Sequence, residues 1–306
     1  MKTNVYFKQI ELTITRALNG SSSTLYNVAR WARCFIDKRL IDRHSTCNKP
    51  FTVIYQQGRV ASTSVYESLC NVGLCNPIYH VHTLSATNAQ KQIDAAKASK
   101  QKAFRHLYVG KMLSAALVTH KAQHEALPWK VISIVRDPLA IMISLHFLNI
   151  KADSNAFSSD AKALAHFESM FSQDDPTNWA ICTWFDNVFL DELGVDVYQH
   201  PFNTEKGFSI IKEDKLDILI LRFDDLNQAF KNGCAEFFAA SEKLFNLKHA
   251  NVHKNTQYDE RLSYIKKNLK VPRDFCNKVY STKLMKHFYS PAQIEALTAK
   301  WAKDKL

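Results

Sequence analysis

After Pro50 the chain alternates short apolar runs with longer segments whose apolar positions recur every three or four residues. The runs FTVIYQ (51–56), PIYHVHTL (77–84), RHLYVG (105–110), WKVISIV (129–135) and DILILRF (217–223) predict strands. Segments 62–73, 86–101, 112–126, 138–150 and 177–193 predict helices between them, and further helices follow the last strand. Near-continuous apolar strands alternating with helices argue for a central parallel sheet covered on both faces, a three-layer α/β/α fold. Residues 151–176, rich in Ser, Asp and Ala, predict a flap with a helical insert at 164–171, and residues 194–211 a loop or hairpin. Before Pro50, residues 24–42 place Leu25, Val28, Trp31, Phe35 and Ile36 on one helical stripe, with Arg30, Arg33, Lys38 and Arg39 elsewhere. The chain therefore divides into a basic helical extension, 1–50, and one domain, 51–306.

Composition changes this picture little: 306 residues with 46% hydrophobic and 23% charged are enough for a large core. No apolar run reaches membrane-spanning length, and Lys8, Glu11 and Arg16 interrupt the N-terminal segment, so a cytoplasmic protein is expected. Seven cysteines at irregular spacing predict reduced thiols, and no Cys/His set has metal-ligand spacing. The net charge of +11 is uneven. Residues 1–50 hold 9 Lys/Arg against 3 Asp/Glu, and residues 248–306 hold 13 against 5, leaving the middle slightly acidic. Basic ends suit an anionic cofactor, an acidic substrate or an anionic membrane face, which the N-terminal helix would touch peripherally. A nucleic-acid partner is not expected.

Two strand-to-helix junctions carry the candidate chemistry. In an open parallel sheet, ligands bind beyond the carboxyl ends of strands, where helix N-termini offer free amides and positive dipole ends to anions. Gly58, Arg59, Val60, Ala61, Ser62, Thr63 and Ser64 follow the first strand, and this stretch predicts an anion cradle with an arginine and three hydroxyls. It is not a Walker A loop, because it lacks a second glycine and a Lys-Ser/Thr pair, which counts against an ATPase or kinase. At the second junction Arg136 ends a strand, Asp137 is placed to cap and Pro138 opens a helix; Ser144 lies eight residues after Arg136, where the two can grip one further phosphate. His80 and His82 fall on one face of the second strand, beside the cradle, where an imidazole is suited to take a proton.

Together GRVASTS and RDPLAIMIS resemble the two cofactor-binding motifs of sulfotransferases that use 3′-phosphoadenosine 5′-phosphosulfate (PAPS). The first is similar to the KxASTS loop of uronyl 2-O-sulfotransferases. ILRFDDL (220–226) resembles the LRYEDL segment of these enzymes, and the stretches around 184–208 and 279–301 resemble a bacterial sulfotransferase-like family associated with capsular polysaccharide synthesis. The likeness extends over about residues 51–302 and implies a P-loop NTPase-like fold. It implies that Arg59, in place of the usual lysine, steadies the leaving 5′-phosphate with Ser62, Thr63, Ser64 and nearby amides. Arg136 and Ser144 would hold the 3′-phosphate, with 3′,5′-ADP as product and no metal. By analogy with an HxH pair in the 2-O-sulfotransferases, His82 is the favoured base, with His80 as the alternative. Lys111 would face the sulfuryl group from the third strand, Asp224 and Asp225 would cap a helix, and Lys254 matches a cofactor contact only loosely. The acceptor is a hydroxyl on a glycan, a lipid-linked glycan or a small alcohol. The competing readings are a nucleotide-dependent kinase of the same fold and a non-catalytic protein that binds acidic glycans or membrane surfaces.

Overall fold

The computed structural model describes residues 23–46, 50–99, 104–123, 126–149, 159–171, 176–248 and 257–303. Residues 1–22, two parts of the expected flap (151–158 and 172–175) and Lys254 lie outside the described residues. Five strands form one sheet in the order β2-β1-β3-β5-β4: β1 (Thr52–Tyr55), β2 (Ile78–Val81), β3 (Trp129–Val135), β4 (Phe208–Lys212) and β5 (Leu216–Arg222). The first three and β5 run parallel, and β4 is an antiparallel edge strand paired through Phe208↔Leu221 and Ile211↔Ile218. All four residues of β1 are buried, as are six of the seven in β3. Successive side chains point to opposite faces, so both faces of these strands are covered, which is why their sequences read as unbroken apolar runs.

Helices α1 (Ser23–Thr46), α2 (Ser62–Val72), α3 (Ala86–Ala98), α4 (Arg105–Lys121) and α5 (Pro138–Asn149) flank or connect the strands, and α6 (Asp160–Met170) and α7 (Pro176–Cys182) follow. A π-helical turn at Phe185–Phe189 leads into α8 (Leu190–Leu193), and α9 (Leu226–Phe238) follows β5. The C-terminal region contains α10 (Gln257–Asn268), α11 (Arg273–Tyr280), α12 (Lys283–Phe288) and α13 (Pro291–Trp301), with a two-stranded bridge between β6 (Val271–Pro272) and β7 (Ala302–Lys303). Among the described residues no helix is long and apolar enough to cross a membrane.

Three expectations change. RHLYVG is not a strand: it forms the first turns of α4, whose buried residues Leu107, Val109, Gly110, Leu113, Ala116, Leu117 and His120 recur at helical spacing. Its glycine is there for contact, since a Cβ at Gly110 would stand 2.2 Å from the carbonyl oxygen of Thr83, just beyond β2. The expected loop or hairpin at 194–211 ends in a strand, β4. The apolar stripe of α1 is also interrupted, because Phe35 is exposed while Asp37 is buried. Asp37 accepts two hydrogen bonds from Arg105, both 2.7 Å, and this forked pair ties α1 to the start of α4.

Two polar hubs hold the carboxyl edge of the sheet. Glu192 accepts from Tyr55 Oη (2.7 Å), Thr83 Oγ1 (2.7 Å), Asn88 Nδ2 (3.2 Å) and the Leu84 amide, joining β1, the end of β2 and α3 to α8. Arg222, at the end of β5, is fully buried and donates to Asp225 (2.6 Å), Phe288 O (3.0 Å), Gln293 Oε1 (2.9 Å) and Thr204 O (2.8 Å). A buried arginine with this many acceptors is a structural clamp, and here it draws α12 and α13 onto the sheet.

Gly110→Ala tests the packing of α4. In an exposed helix the change would gain about 1 kcal/mol of propensity, but a Cβ at 2.2 Å from backbone must displace the helix or β2. Thermal unfolding is expected to show a net loss of about 1–3 kcal/mol.

Candidate active site

The strand order reverses between β1 and β3: the chain passes from β1 to β2 on one side and then crosses to β3 on the other. In open α/β sheets the crevice at such a switch point is where ligands bind. The two junctions picked out from the sequence border this crevice, one after β1 and the other after β3.

In the first junction, Arg59 and Ala61 adopt left-handed backbone conformations, with φ of 69° and 61°. Non-glycine residues occupy that region at a cost, and they concentrate at functional sites. Gly58, expected to make the bend, does not have positive φ, and a Cβ there would meet nothing within 4 Å. A side chain would therefore fit at this position, and the bend is borne by its neighbours. Val60 is completely buried and anchors the loop to the core. Ala61 caps α2 without any side-chain hydrogen bond, so the left-handed residue followed by a helical one leaves amides turned outward as an anion nest. Ser62 and Ser64 are buried and Thr63 is half-buried.

The second junction meets the first directly. Arg136 Nη1 donates to Arg59 O (2.6 Å), and Arg59 Nε donates to the buried Ser144 Oγ (2.9 Å). Arg59, Arg136 and Ser144 thus form one hydrogen-bonded unit across residues far apart in sequence. Arg136 also lies over the Phe223 ring, 4.0 Å from its centroid. Asp137 is buried and accepts from Leu139 N (3.0 Å), Tyr280 Oη (3.2 Å) and Trp301 Nε1 (2.8 Å). It caps α5 and also fastens α11 and α13 to the end of β3. Burial raises its pKa, while these donors oppose the rise.

A third cation stands within electrostatic range of this unit. Burial, together with the charges of Arg136, Arg59 and Lys300, lowers the pKa of Lys266 on α10 to about 8. Arg136 is likewise lowered, first by burial and also by Arg59, against the opposing pull of Asp137 and Asp224. Cations that repel one another at the mouth of a crevice cost stability until an anion arrives. Among the described residues, the buried atoms Arg136 Nε and Gln57 Nε2 have no hydrogen-bond partner. Orphaned buried donors beside an open glycine and an uncapped helix fit a phosphate-bearing ligand.

The histidines stand at the adjacent end of β2, where His80 pairs with Ile54 in register. His82 Nδ1 lies 2.9 Å from Gln56 O. A carbonyl only accepts, so Nδ1 carries the proton and Nε2 keeps its lone pair. His80 Nε2 lies 3.0 Å from Gln56 Nε2 and is engaged whichever way that amide is turned. Burial, followed by the neighbouring His82 and His106, lowers His80 to about 3; burial also lowers His82, opposed by its bond to Gln56. Both rings are neutral at pH 7, and only His82 has Nε2 free of Gln56. Sequence reasoning missed His106, at the start of α4, whose ring meets His82 edge-on at 4.8 Å and whose pKa burial and His82 lower to about 4. It was hidden because RHLYVG had been assigned to a strand. Lys266 had no local signal at all.

The remaining expected residues are placed elsewhere. Lys111 is exposed on α4, not at a strand end, and its amine donates to Gln90 of α3 (2.7 Å). Asp225 binds Arg222, and Asp224 accepts from Tyr289 Oη (2.9 Å); α9 has no side-chain cap. Among the described residues no group of three or more His, Cys, Asp or Glu is placed to hold a metal ion.

Residues 146–290 match the family model described as "Putative capsular polysaccharide synthesis protein". The matched region includes Glu192, Arg222 and Lys266, while the cradle, the histidines, Arg136 and Ser144 precede it. No curated protein and no solved structure matches the chain significantly.

The cation cluster predicts how anion binding depends on pH. An anion favours protonated Lys266, so stabilisation by sulfate, read as a rise in Tm at constant ionic strength, should be steady below pH 8 and decline above it. Lys266→Met should weaken the effect and flatten its pH dependence. Absence of any sulfate effect in the unmodified protein would remove the anion site.

Proposed function

We propose that this protein is a PAPS-dependent sulfotransferase that modifies a hydroxyl of a glycan acceptor. The observation that carries the reading is the joining of Arg59, Arg136 and Ser144 into one unit at the sheet's switch point, in front of an uncapped helix and beside a neutral His82. A single phosphate would need only one junction. The use of both, in the order and spacing of the PAPS-binding motifs, favours a ligand with phosphate at both ends of its ribose.

When bound, PAPS supplies a sulfuryl group attached to a phosphate leaving group. The amides after Ala61, with Ser62, Thr63 and Arg59, are suited to hold the 5′ side, and Arg136, Ser144 and Lys266 the 3′ side. Arg59 keeps a full charge at any working pH and acts by electrostatic stabilisation, since it cannot give up its proton. His82 Nε2 would accept the proton of the acceptor hydroxyl as its oxygen bonds to sulfur and the bond from sulfur to the 5′-phosphate oxygen breaks, the electron pair leaving with that phosphate. Gln56 fixes the tautomer that makes this possible. His80, engaged by the side chain of the same glutamine, orients the pair. The family match, with its description in terms of capsular polysaccharide, favours a glycan over a small alcohol.

Transfer of labelled sulfate from PAPS to a panel of glycan acceptors tests this reading. Arg59→Ala and His82→Ala are each expected to lower the rate by at least about a hundredfold, and Arg59→Lys to retain a measurable part. Because burial depresses His82, the acid limb of the rate profile should fall below pH 6.5. Turnover of magnesium-ATP with no transfer from PAPS would replace the reading with a kinase.

A further inference from the structure

Next to the histidines, one aromatic ring is left open to solvent. Phe104 is 70% exposed and immediately precedes α4. Its ring is stacked in an offset arrangement against His106, with the planes 10° apart and the centroids at 5.4 Å. His106 meets His82 edge-on at 4.8 Å, and His82 meets His80 in the same way at 5.0 Å. Four rings in series thus lead from open solvent to the half-buried histidine pair, and the second from the inner end is the candidate base. The backbone under Phe104 is fixed, because the next residue, Arg105, makes the forked pair with Asp37.

A lone exposed phenylalanine needs no explanation, but one stacked in line with a candidate base is an open apolar face at the approach to the reacting group. A polar chain that offers hydroxyls and also flat apolar surface would use both. We propose that Phe104, backed by His106, is a stacking platform for a pyranose ring of the acceptor, and that the acceptor is therefore a saccharide chain presented to His82. The C–H face of a pyranose matches a single aromatic ring in size, and stacking leaves the rim hydroxyls free for the imidazole. The role assigned to His82 rests on the transferase reading; saccharide binding at Phe104 can be measured without it.

The test uses the full chain without nucleotide, titrated calorimetrically with hexasaccharides of β-1,4-glucose, β-1,4-N-acetylglucosamine and alternating uronate–glucosamine. At least one is expected to bind, with affinity about tenfold lower in Phe104→Ala. Phe104→Trp should keep the affinity, and its fluorescence should change on binding. Binding of 3′,5′-ADP should be the same in Phe104→Ala as in the unmodified protein, which also shows that the variant is folded. Failure of all three hexasaccharides to bind, or binding unaffected by Phe104→Ala, would overturn the platform. Phe104-dependent saccharide binding by a protein that ignores 3′,5′-ADP would keep the platform and remove the sulfuryl donor.

Discussion

A buried carboxylate at the end of the third strand sets the geometry of the crevice. Asp137 receives a backbone amide from its own helix, a phenol from Tyr280 and an indole from Trp301. All three donors are neutral, so burial costs the charge part of its stability, and the raised pKa records that cost. In return, one side chain locks the turn from β3 into α5 and holds two C-terminal helices against it. Arg136 is the residue before it, so the direction in which that guanidinium points follows from how Asp137 is held. Arg136 then fixes the carbonyl of Arg59, and Arg59 reaches Ser144. Removing Asp137 would loosen both junctions together.

The cations gathered at this place do not stabilise the empty fold. Arg59, Arg136 and Lys266 raise one another's electrostatic energy, and left-handed backbone at Arg59 and Ala61 adds strain. The rest of the molecule compensates with a sheet buried on both faces and with hubs such as Glu192 and Arg222, where each hydrogen-bonding group is matched. Strain and like charge gathered at one crevice are features expected of a ligand site.

Much of this was legible in the sequence because the signals were local. Continuous apolar runs marked β1, β3 and β5, and Asp-Pro after an apolar run marked the β3–α5 junction. The two strand-to-helix junctions were visible as motifs, but their physical contact was not, since Arg59 and Ser144 meet only through the sheet order. RHLYVG misled because a short buried helix face and a buried strand share the same apolar density, and Gly110 looked like a strand end when it is a packing contact with Thr83. That one error hid His106 and misplaced Lys111. Phe35, expected on the buried stripe, is exposed, while Asp37 is buried because Arg105, nearly seventy residues away, supplies its partner.

The most direct test is the comparison of 3′,5′-ADP with 5′-AMP by calorimetry in the absence of metal. If the two junctions hold the two phosphates of one ligand, 3′,5′-ADP binds at least about tenfold more tightly, and Arg136→Ala abolishes the difference. Equal affinity for the two nucleotides, or binding only with magnesium, would contradict it.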